Sequence, residues 1–231
     1  MSLSKNYDKF NTFRNTYDSF IYEKHSFTLN KNSLEVKFTF TIDNEFTFQP
    51  KTVFKIPNIS ININTKQLDY LIFHLGMAEL ISYWKATCTK KVIIKPYQLD
   101  KKQIEWWKKL YFHGLGEFFY LNSIVADIET FMEIKSKSQN NAIPCNYSHK
   151  QQGTIVPIGG GKDSIVSLEF FKYIGENIFP MLVNPRAAMT ESVSTSGIKS
   201  YFQINRTIDK QLLELRSEEH TSELQSQSHI S

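Results

Sequence analysis

Three consecutive glycines, Gly159–Gly161, stand between a short apolar run and a helical pattern in the last third of the chain. The apolar run is Thr154–Ile158, and the helix is predicted from Ser164 to about Tyr173. A second apolar run follows at Phe179–Val183, and a further strand is predicted at Tyr201–Ile208. This order of elements predicts a β–loop–α–β unit, which is the building block of a parallel sheet.

The glycine-rich loop has the composition of a phosphate-binding turn. Because the glycines lack Cβ atoms, the backbone can approach an anion closely, and its N–H groups can surround phosphate oxygens. The positive end of the following helix, the charge of Lys162 and the hydroxyl of Ser164 favour the same ligand. Asp163 would repel bare phosphate, which indicates a Mg²⁺ bridge or a bond to the loop itself. The alternative is a plain tight turn with Asp163 or Ser164 as the helix cap.

The first 150 residues carry a different pattern. Apolar side chains occupy every second position from Leu34 to Ile42, which predicts a strand with one buried face. With shorter runs that continue to Ile63, this strand predicts an antiparallel sheet. The other elements predicted for this part are a helix over Lys66–Ala86 capped by Thr65, a short strand over Lys91–Lys95, a helix over Leu99–Phe112 and a strand over Phe118–Leu121.

A polar stretch, Ser136–Lys150, separates the two patterns, and we place a domain boundary there. We expect an α+β N-terminal domain with an antiparallel sheet at 1–150, followed by an α/β domain with a parallel sheet at 151–215. Residues 216–231 are polar and lack periodicity, and Arg216–Ser226 resembles the translation of a common sequencing-adapter oligonucleotide. We therefore expect 216–231 to be an artefactual, disordered tail and the α/β domain to be truncated.

Charge, hydropathy and cysteine usage exclude several classes of protein. The net charge of +4 is small and evenly spread, which argues against a nucleic-acid partner. No apolar stretch is long enough to span a membrane, and the first residues lack the apolar core of a signal peptide. The two cysteines are expected to be reduced thiols. These features predict a cytoplasmic protein that acts on a small anionic molecule.

The glycine-rich loop resembles the Ser-Gly-Gly-x-Asp-Ser loop of the PP-loop ATP pyrophosphatases, with Gly159 where that superfamily usually has serine. It matches neither the Walker A pattern nor the dinucleotide pattern Gly-x-Gly-x-x-Gly. A narrower resemblance is carried by further segments, which are His74–Cys88, Trp106-Trp107, His113–Phe119, Leu182–Pro185, Arg206–Asp209 and Leu212–Leu215. These are similar to segments of the UDP-N-acetylmuramoyl-L-alanyl-L-glutamate epimerase family, and the resemblance extends from about Leu71 to Leu215.

The resemblance implies a PP-loop, HUP-like nucleotide-binding domain and a specific reaction. Members of this family invert the terminal L-Glu of the UDP-muramoyl dipeptide to D-Glu, with ATP and Mg²⁺ consumed to give AMP and diphosphate, in peptidoglycan precursor synthesis. A chain that holds only part of such an enzyme is expected to be inactive. Two alternatives remain open from the sequence. One is another adenylating PP-loop synthetase or amidotransferase, and the other is a non-catalytic nucleotide-binding module.

The resemblance also implies roles for individual residues. The ATP phosphates are assigned to the six loop residues Gly159, Gly160, Gly161, Lys162, Asp163 and Ser164. Val183 and Asn184 end the second strand of the unit and are expected to contact adenosine, with a simple connecting loop as the alternative. No protein ligands to a metal are predicted, because Mg²⁺ is expected to be held mainly by phosphate oxygens.

The residue that removes the α-proton is not identified by the sequence. The residues considered are His74, Lys85, Cys88, His113 and Glu117, of which Lys85, His113 and Glu117 are retained, together with Asp163, as catalytic candidates. Lys85 lies among apolar neighbours and therefore has to reach solvent or find an anionic partner. His74 and Cys88 have ordinary core positions as their alternative reading.

Overall fold

The structure of the chain is a computed structural model that describes residues 3–43, 45–55, 64–143 and 153–218, with side chains described between residues 10 and 214 of these ranges. The strands are β1 (Ser19–Asn30), β2 (Ser33–Ile42), β3 (Phe46–Phe48), β4 (Lys51–Lys55), β5 (Lys91–Ile94), β6 (Glu133–Ser136), β7 (Thr154–Pro157), β8 (Ile178–Val183) and β9 (Phe202–Thr207). The helices are α1 (Leu3–Thr16), α2 (Thr65–Trp84), α3 (Lys101–Gly114), α4 (Gly116–Leu121), α5 (Lys162–Tyr173), α6 (Ala187–Thr195) and α7 (Lys210–Glu218).

The strands form one mixed sheet in the order β6–β5–β1–β2–β4–β9–β8–β7, with β3 paired to β2. Strands β1, β2 and β4 are antiparallel neighbours, as the alternation predicts, and β5 and β6 add to β1 in parallel. Strands β7, β8 and β9 are parallel, and β9 pairs antiparallel with β4. The α+β class and the predicted β–loop–α–β unit are therefore confirmed, while the division near residue 150 stays a prediction, because both parts contribute to one sheet.

The alternating side chains of β2 form the centre of the main core. Leu34, Val36, Phe38, Phe40 and Ile42 are all at most 9% exposed. Helix α2 packs on this face of β1 and β2, and its apolar surface is correspondingly wide. We call the sheet face covered by α2 the front face. The predicted strand that ends at Ile63 lies outside the described residues.

The cap of α2 is Asn64 rather than the predicted Thr65. The Asn64 side-chain oxygen accepts hydrogen bonds from the backbone N–H groups of Lys66 and Gln67, at 3.0 and 3.3 Å. Two adjacent residues with capping side chains cannot be ranked by sequence alone, because the choice depends on which one has extended backbone geometry.

Within the described residues, no helix combines the length and the apolar character that are needed to cross a bilayer.

The predicted strand over Phe118–Leu121 is wrong, since these residues belong to the short helix α4. Phe118 and Phe119 are consecutive and both buried in the same core, an arrangement that a strand with alternating side chains does not favour. The side-chain amide of Asn122 ends this helix by donating to the carbonyl of Phe118 at 2.8 Å. The aromatic run predicts a strand by propensity alone, because aromatic side chains favour strands.

A second, smaller core lies on the opposite face of β7 and β8, which we call the back face. Val156 and Leu182 point into it and pack against Leu168 of α5 and against Met189 and Val193 of α6. Helix α5 begins at Lys162, two residues before the predicted start. After β9, helix α7 extends to Glu218 and includes three residues of the predicted tail, while residues 219–231 lie outside the described part.

An ion pair from β9 to α2, which we call the bridge, also links the two halves of the structure. Arg206 Nε and Nη2 each donate to the carboxylate of Glu79 at 2.8 Å, and Nη2 also reaches Ser82 Oγ at 3.2 Å. The Glu79 side chain is only 9% exposed. Burial alone would lower the pKa of Arg206, but the hydrogen bonds that it donates to Glu79 raise it, so the guanidinium stays charged. The side chain of Arg206 therefore lies on the front face.

The substitution Gly76→Ala tests the packing of α2 on β1. A Cβ at Gly76 would overlap Tyr22 Oη and lie 2.8 Å from Phe38 Cδ1. Tyr22 cannot move away easily, because it is fully buried, stacked on Phe73 and bonded to His25. We expect the free energy of unfolding to fall by about 1–2 kcal/mol in urea titrations, since overpacking costs about 1–3 kcal/mol and the better helix propensity returns up to about 1 kcal/mol. The control is Gly114→Ala, where an added Cβ meets nothing within 4 Å and stability should not fall.

The substitution Arg206→Met tests the bridge. It leaves a buried carboxylate without its partner, so we expect a loss of roughly 3 kcal/mol in the free energy of unfolding. In the double variant Glu79→Met/Arg206→Met, no buried charge is left without a partner, and at least half of the lost free energy of unfolding should be recovered. Equal stability of Arg206→Met and the parent chain in urea titrations would show that the bridge contributes nothing.

Candidate functional site

The carboxyl ends of β7, β8 and β9 lie side by side, because the three strands are parallel neighbours. Each end leads directly into the start of a helix, namely α5, α6 and α7 in turn. In sheets of this kind, ligands bind beyond the carboxyl ends of the strands. The glycine-rich loop is the connection from β7 to α5 and therefore lies at this edge.

Within the loop, only Gly160 has a positive φ, of 80°. A Cβ there would be strained and would also lie 3.3 Å from Met189 Cγ and 3.4 Å from the Met189 backbone nitrogen. Gly160 thus brings the loop against the first turn of α6. At Gly159 and Gly161 an added Cβ would meet no atom of the described residues within 4 Å, so this side of the loop is open among them.

The first turn of α5 offers N–H groups that no side chain caps. Gly161 is the N-cap residue, and within the described residues no side chain caps the helix there. Lys162 and Asp163 are exposed. In this first turn Lys162 opposes the helix dipole and Asp163 favours it, so the two side-chain charges offset each other. This arrangement of glycine backbone, uncapped N–H groups and one cation suits an anion such as a phosphate group.

The side chains of Ser164 and Asn184 form hydrogen bonds with the protein's own backbone. The Ser164 hydroxyl donates to the carbonyl of Gly161 at 2.8 Å, so it would have to rotate to donate to a phosphate. Asn184 has φ of 48°, and its side-chain amide pairs with the backbone of Arg206, accepting from N–H at 2.8 Å and donating to the carbonyl at 3.0 Å. Val183 is half-buried. The assignment of these residues to phosphate and adenosine stays a prediction.

The other predicted site residues are spread along the sheet rather than gathered at the loop. Lys85 is the half-buried C-cap of α2, and the neighbouring Tyr83 hydroxyl accepts from the Asp209 backbone N–H at 3.0 Å, beyond the end of β9. His113 and Glu117 are exposed on α3 and α4, on the β6 side of the sheet. The strand order puts β6 seven spacings from β7, or roughly 34 Å at about 4.8 Å each. The structure therefore does not bring His113 or Glu117 together with the loop.

Cys88 has the surroundings of a core residue, whereas His74 is half-buried beside the main core. The His74 ring stacks on Trp107 at 5.9 Å, and burial lowers its pKa. Cys88 has φ of 53° and is buried, and its carbonyl accepts from Arg14 Nη1 at 2.7 Å. Burial raises the pKa of the Cys88 thiol to about 12, although Arg14 and Lys85 oppose the rise. A thiol of this kind is protonated at neutral pH and is not a ready base.

Two polar clusters were not anticipated from the sequence. Asp209 accepts from the backbone N–H groups of Gln49 and Gln211, at 2.6 and 2.9 Å, and so fixes the turn after β9. His25 joins Asp69 through Nε2 at 3.0 Å, and Tyr97 donates to the other oxygen of Asp69 at 2.6 Å. Each cluster depends on contacts between residues at least 28 positions apart in the sequence, and the available signal was the presence of polar residues in apolar stretches. No group of three or more potential metal ligands occurs in the described parts of the chain.

The burial of Cys88 leads to a chemical prediction. In a Cys145→Ser variant, which leaves Cys88 as the sole thiol, we expect labelling by a thiol reagent at pH 8 to be at least about 100-fold slower in the native protein than in urea, since little thiolate forms. The raised pKa also means that the unfolded chain ionises first, so stability should be lost as pH rises from 9 towards 12. Rapid labelling of the folded protein would contradict this assignment and would restore Cys88 as a candidate base.

Comparison with known proteins gives relatives of one kind. The chain is 30% identical over 137 residues to an enzyme of a Micromonospora strain named UDP-N-acetyl-alpha-D-muramoyl-L-alanyl-L-glutamate epimerase, a match over 59% of this chain and 30% of the relative. Proteins of the same name from Xanthomonas oryzae pv. oryzae and Salinispora tropica are 26% and 28% identical, over 58% and 59% of this chain and 29% of each relative. No solved structure matches the chain at a significant level.

The chain thus spans about 30% of the length of the curated relatives that it matches. A family profile, in contrast, covers nearly all of it. The profile described as the MurL N-terminal domain matches residues 11–221, which include the sheet, both cores and the glycine-rich loop. The chain therefore belongs to the MurL N-terminal domain family.

Proposed function

We propose that this chain carries the phosphate-binding loop of an ATP-dependent epimerase that converts the terminal L-Glu of UDP-N-acetylmuramoyl-L-Ala-L-Glu to D-Glu in peptidoglycan precursor synthesis. The observation that carries the proposal is the loop at Gly159–Ser164. It leaves the carboxyl end of a parallel strand, remains open on one side and enters a helix whose first turn is uncapped. The names of the relatives supply the substrate and the type of reaction.

The residues at the loop fit a nucleotide triphosphate. The backbone at Gly159 and Gly161 is accessible, and Lys162 supplies a cation beside the uncapped N–H groups. Asp163 is exposed in the first turn of α5. There its carboxylate could accept a hydrogen bond from a water bound to a Mg²⁺ ion that phosphate oxygens hold. These features support a PP-loop function for the region, in cytoplasm where ATP and the muropeptide precursor are both present.

ATP would supply an adenylyl group to the carboxylate next to the α-carbon of the glutamate, with release of diphosphate, and water would finally cleave the resulting acyl adenylate to give AMP. This chemistry suits the reaction, because the α-proton beside an ionised carboxylate is very hard to remove, and activation cancels that charge. Each tenfold gain in rate requires about 1.4 kcal/mol of barrier reduction, and neutralising a charge next to the reacting carbon is a large source of it. In this proposal the loop holds and orients the phosphates, and Lys162 stabilises the charge that develops on the diphosphate leaving group.

Proton transfer is proposed to involve groups nearer to the loop than His113 and Glu117. Of the residues predicted for this role, Lys85 is the best placed, since α2 packs on β1 and β2, and β2 is four strand spacings from β7. Because Lys85 ends α2 on the side where Tyr83 contacts Asp209, it lies at the same edge of the sheet as the loop. The side-chain amide of Asn184 keeps the end of β8 in register with β9 and thereby fixes the floor of the site.

The experiment is the substitution Asp163→Ala in the full-length protein, followed by release of diphosphate from ATP. We expect release in the parent protein only when UDP-N-acetylmuramoyl-L-Ala-L-Glu is present, and a loss of at least about 100-fold in the variant, since removing one preorganised charged group typically costs that much or more. The control is Glu169→Gln on the same helix, where the carboxylate pairs with Lys172 at 3.6 Å and activity should be unchanged. Near-normal release from a folded Asp163→Ala variant would remove the loop from the reaction.

A further inference from the structure

The guanidinium of Arg206 keeps hydrogen-bond donors that the bridge does not use. Nε donates to Glu79 at 2.8 Å, one N–H of Nη2 donates to Glu79 at 2.8 Å, and the other donates to Ser82 Oγ at 3.2 Å. A guanidinium carries five N–H groups, so the two on Nη1 remain. Within the described residues, neither of these two N–H groups has an acceptor.

The two N–H groups of Nη1 are accessible to solvent. The Arg206 side chain is 31% exposed, whereas the side chain of its partner Glu79 is 9% exposed. In the parts of the chain that the structure describes, the buried side-chain polar atoms without a partner belong to Thr87 and Thr89, and Nη1 is not among them. The bridge therefore buries one edge of the guanidinium and leaves Nη1 to water or to a ligand.

Both the side chain and the backbone of Arg206 are held in place. Glu79 accepts from two nitrogens of the guanidinium, which fixes the plane of the group. The Asn184 amide holds the Arg206 backbone, accepting from its N–H at 2.8 Å and donating to its carbonyl at 3.0 Å. A donor that is already oriented loses little conformational entropy when it binds a ligand, so Nη1 is preorganised for an anionic acceptor.

Arg206 lies near the carboxyl ends of the parallel strands, where the glycine-rich loop also lies. It is the residue before the last one in β9, and Asn184, which follows the end of β8, contacts it directly. Strand β9 is two strand spacings from β7, or roughly 10 Å at about 4.8 Å each. A ligand that binds beyond the carboxyl ends of these strands is therefore within reach of Nη1.

The glutamate of the proposed reaction has two carboxylates with different fates. Adenylation cancels the charge of the carboxylate next to the α-carbon, while the side-chain carboxylate stays ionised. An ionised carboxylate that leaves water for a protein site needs a cationic or hydrogen-bonding partner. The N–H groups of an arginine are strong partners for a carboxylate, because both groups are charged.

We propose that Nη1 of Arg206 binds the side-chain carboxylate of the substrate glutamate. Arg206 then selects an anionic terminal residue over a neutral one, and it holds the side chain while the configuration at the α-carbon is inverted. Glu79 is a positioning residue, because it orients the guanidinium without touching the substrate. This inference rests on the proposed function, since the identity of the substrate comes from there.

The experiment measures binding of UDP-N-acetylmuramoyl-L-Ala-L-Glu to the full-length protein by isothermal titration calorimetry, without ATP. The second ligand has L-Gln in place of L-Glu, which keeps the shape of the side chain and removes its charge. We expect the parent protein to bind the glutamate ligand at least about tenfold more tightly, since a hydrogen bond between charged groups contributes that factor or more. In Arg206→Lys, which can still pair with Glu79 but lacks the guanidinium fork, this preference should fall below about threefold.

The preference for one ligand over the other separates binding from stability. A purely structural role for Arg206 would weaken both ligands equally and leave the preference unchanged. The matched control is Arg14→Lys, because the Arg14 guanidinium donates to the carbonyls of Cys88 and Thr130, away from the parallel strands. This control should keep the preference of the parent protein.

Two results would overturn the inference. One is a parent protein that binds neither ligand or binds both equally, and the other is a folded Arg206→Lys variant that keeps the full preference. The comparison of ligands on the parent protein keeps the test decisive if Arg206→Lys does not fold, which far-ultraviolet circular dichroism would reveal. Because no ATP is used, a failure here is distinguishable from failure of the proposed ATP chemistry, which Asp163→Ala tests.

Discussion

The antiparallel pairing of β4 with β9 is the constraint on which the rest of the structure depends. Through it, a strand from the second part of the chain becomes the neighbour of the antiparallel strands that α2 covers. The side chain of Arg206 then reaches Glu79 of α2, and the Asp209 side chain accepts from the backbone of Gln49 before β4. One strand therefore aligns the parallel unit with the main core and fixes which face of that unit is front and which is back.

This alignment has a functional consequence. The carboxyl ends of β7, β8 and β9 come to the same edge of the sheet as the end of α2, because Tyr83 contacts the turn at Asp209. The glycine-rich loop lies at this edge beside the smaller core, where Gly160 approaches Met189. Asn184 helps to fix the same edge, since its side chain completes the ladder between β8 and β9. A loop on such a frame can keep its backbone N–H groups in a fixed arrangement without a ligand.

Local patterns predicted much of this architecture. The alternation from Leu34 to Ile42 and the apolar runs around the glycines gave the antiparallel and parallel strands, because the side-chain period of a strand is a property of its own sequence. Where local signals competed, the prediction was wrong. Phe118 and Phe119 favour strands by propensity, but burial of both rings in one core made the segment helical. The predicted cap of α2 was also wrong. The structure has Asn64 as the cap rather than Thr65, because backbone geometry decided between two suitable side chains.

The amino-acid sequence by itself determined the nature of the loop, the strand periods and the apolar character of α2, because each depends on residues that are close together along the chain. Only the tertiary structure decided how these parts meet. It placed His113 and Glu117 on the β6 side of the sheet and used the amide of Asn184 to hold β9. Those outcomes depend on strand order and on contacts between distant residues, such as Glu79 with Arg206, and no local pattern encodes the order in which strands join a sheet.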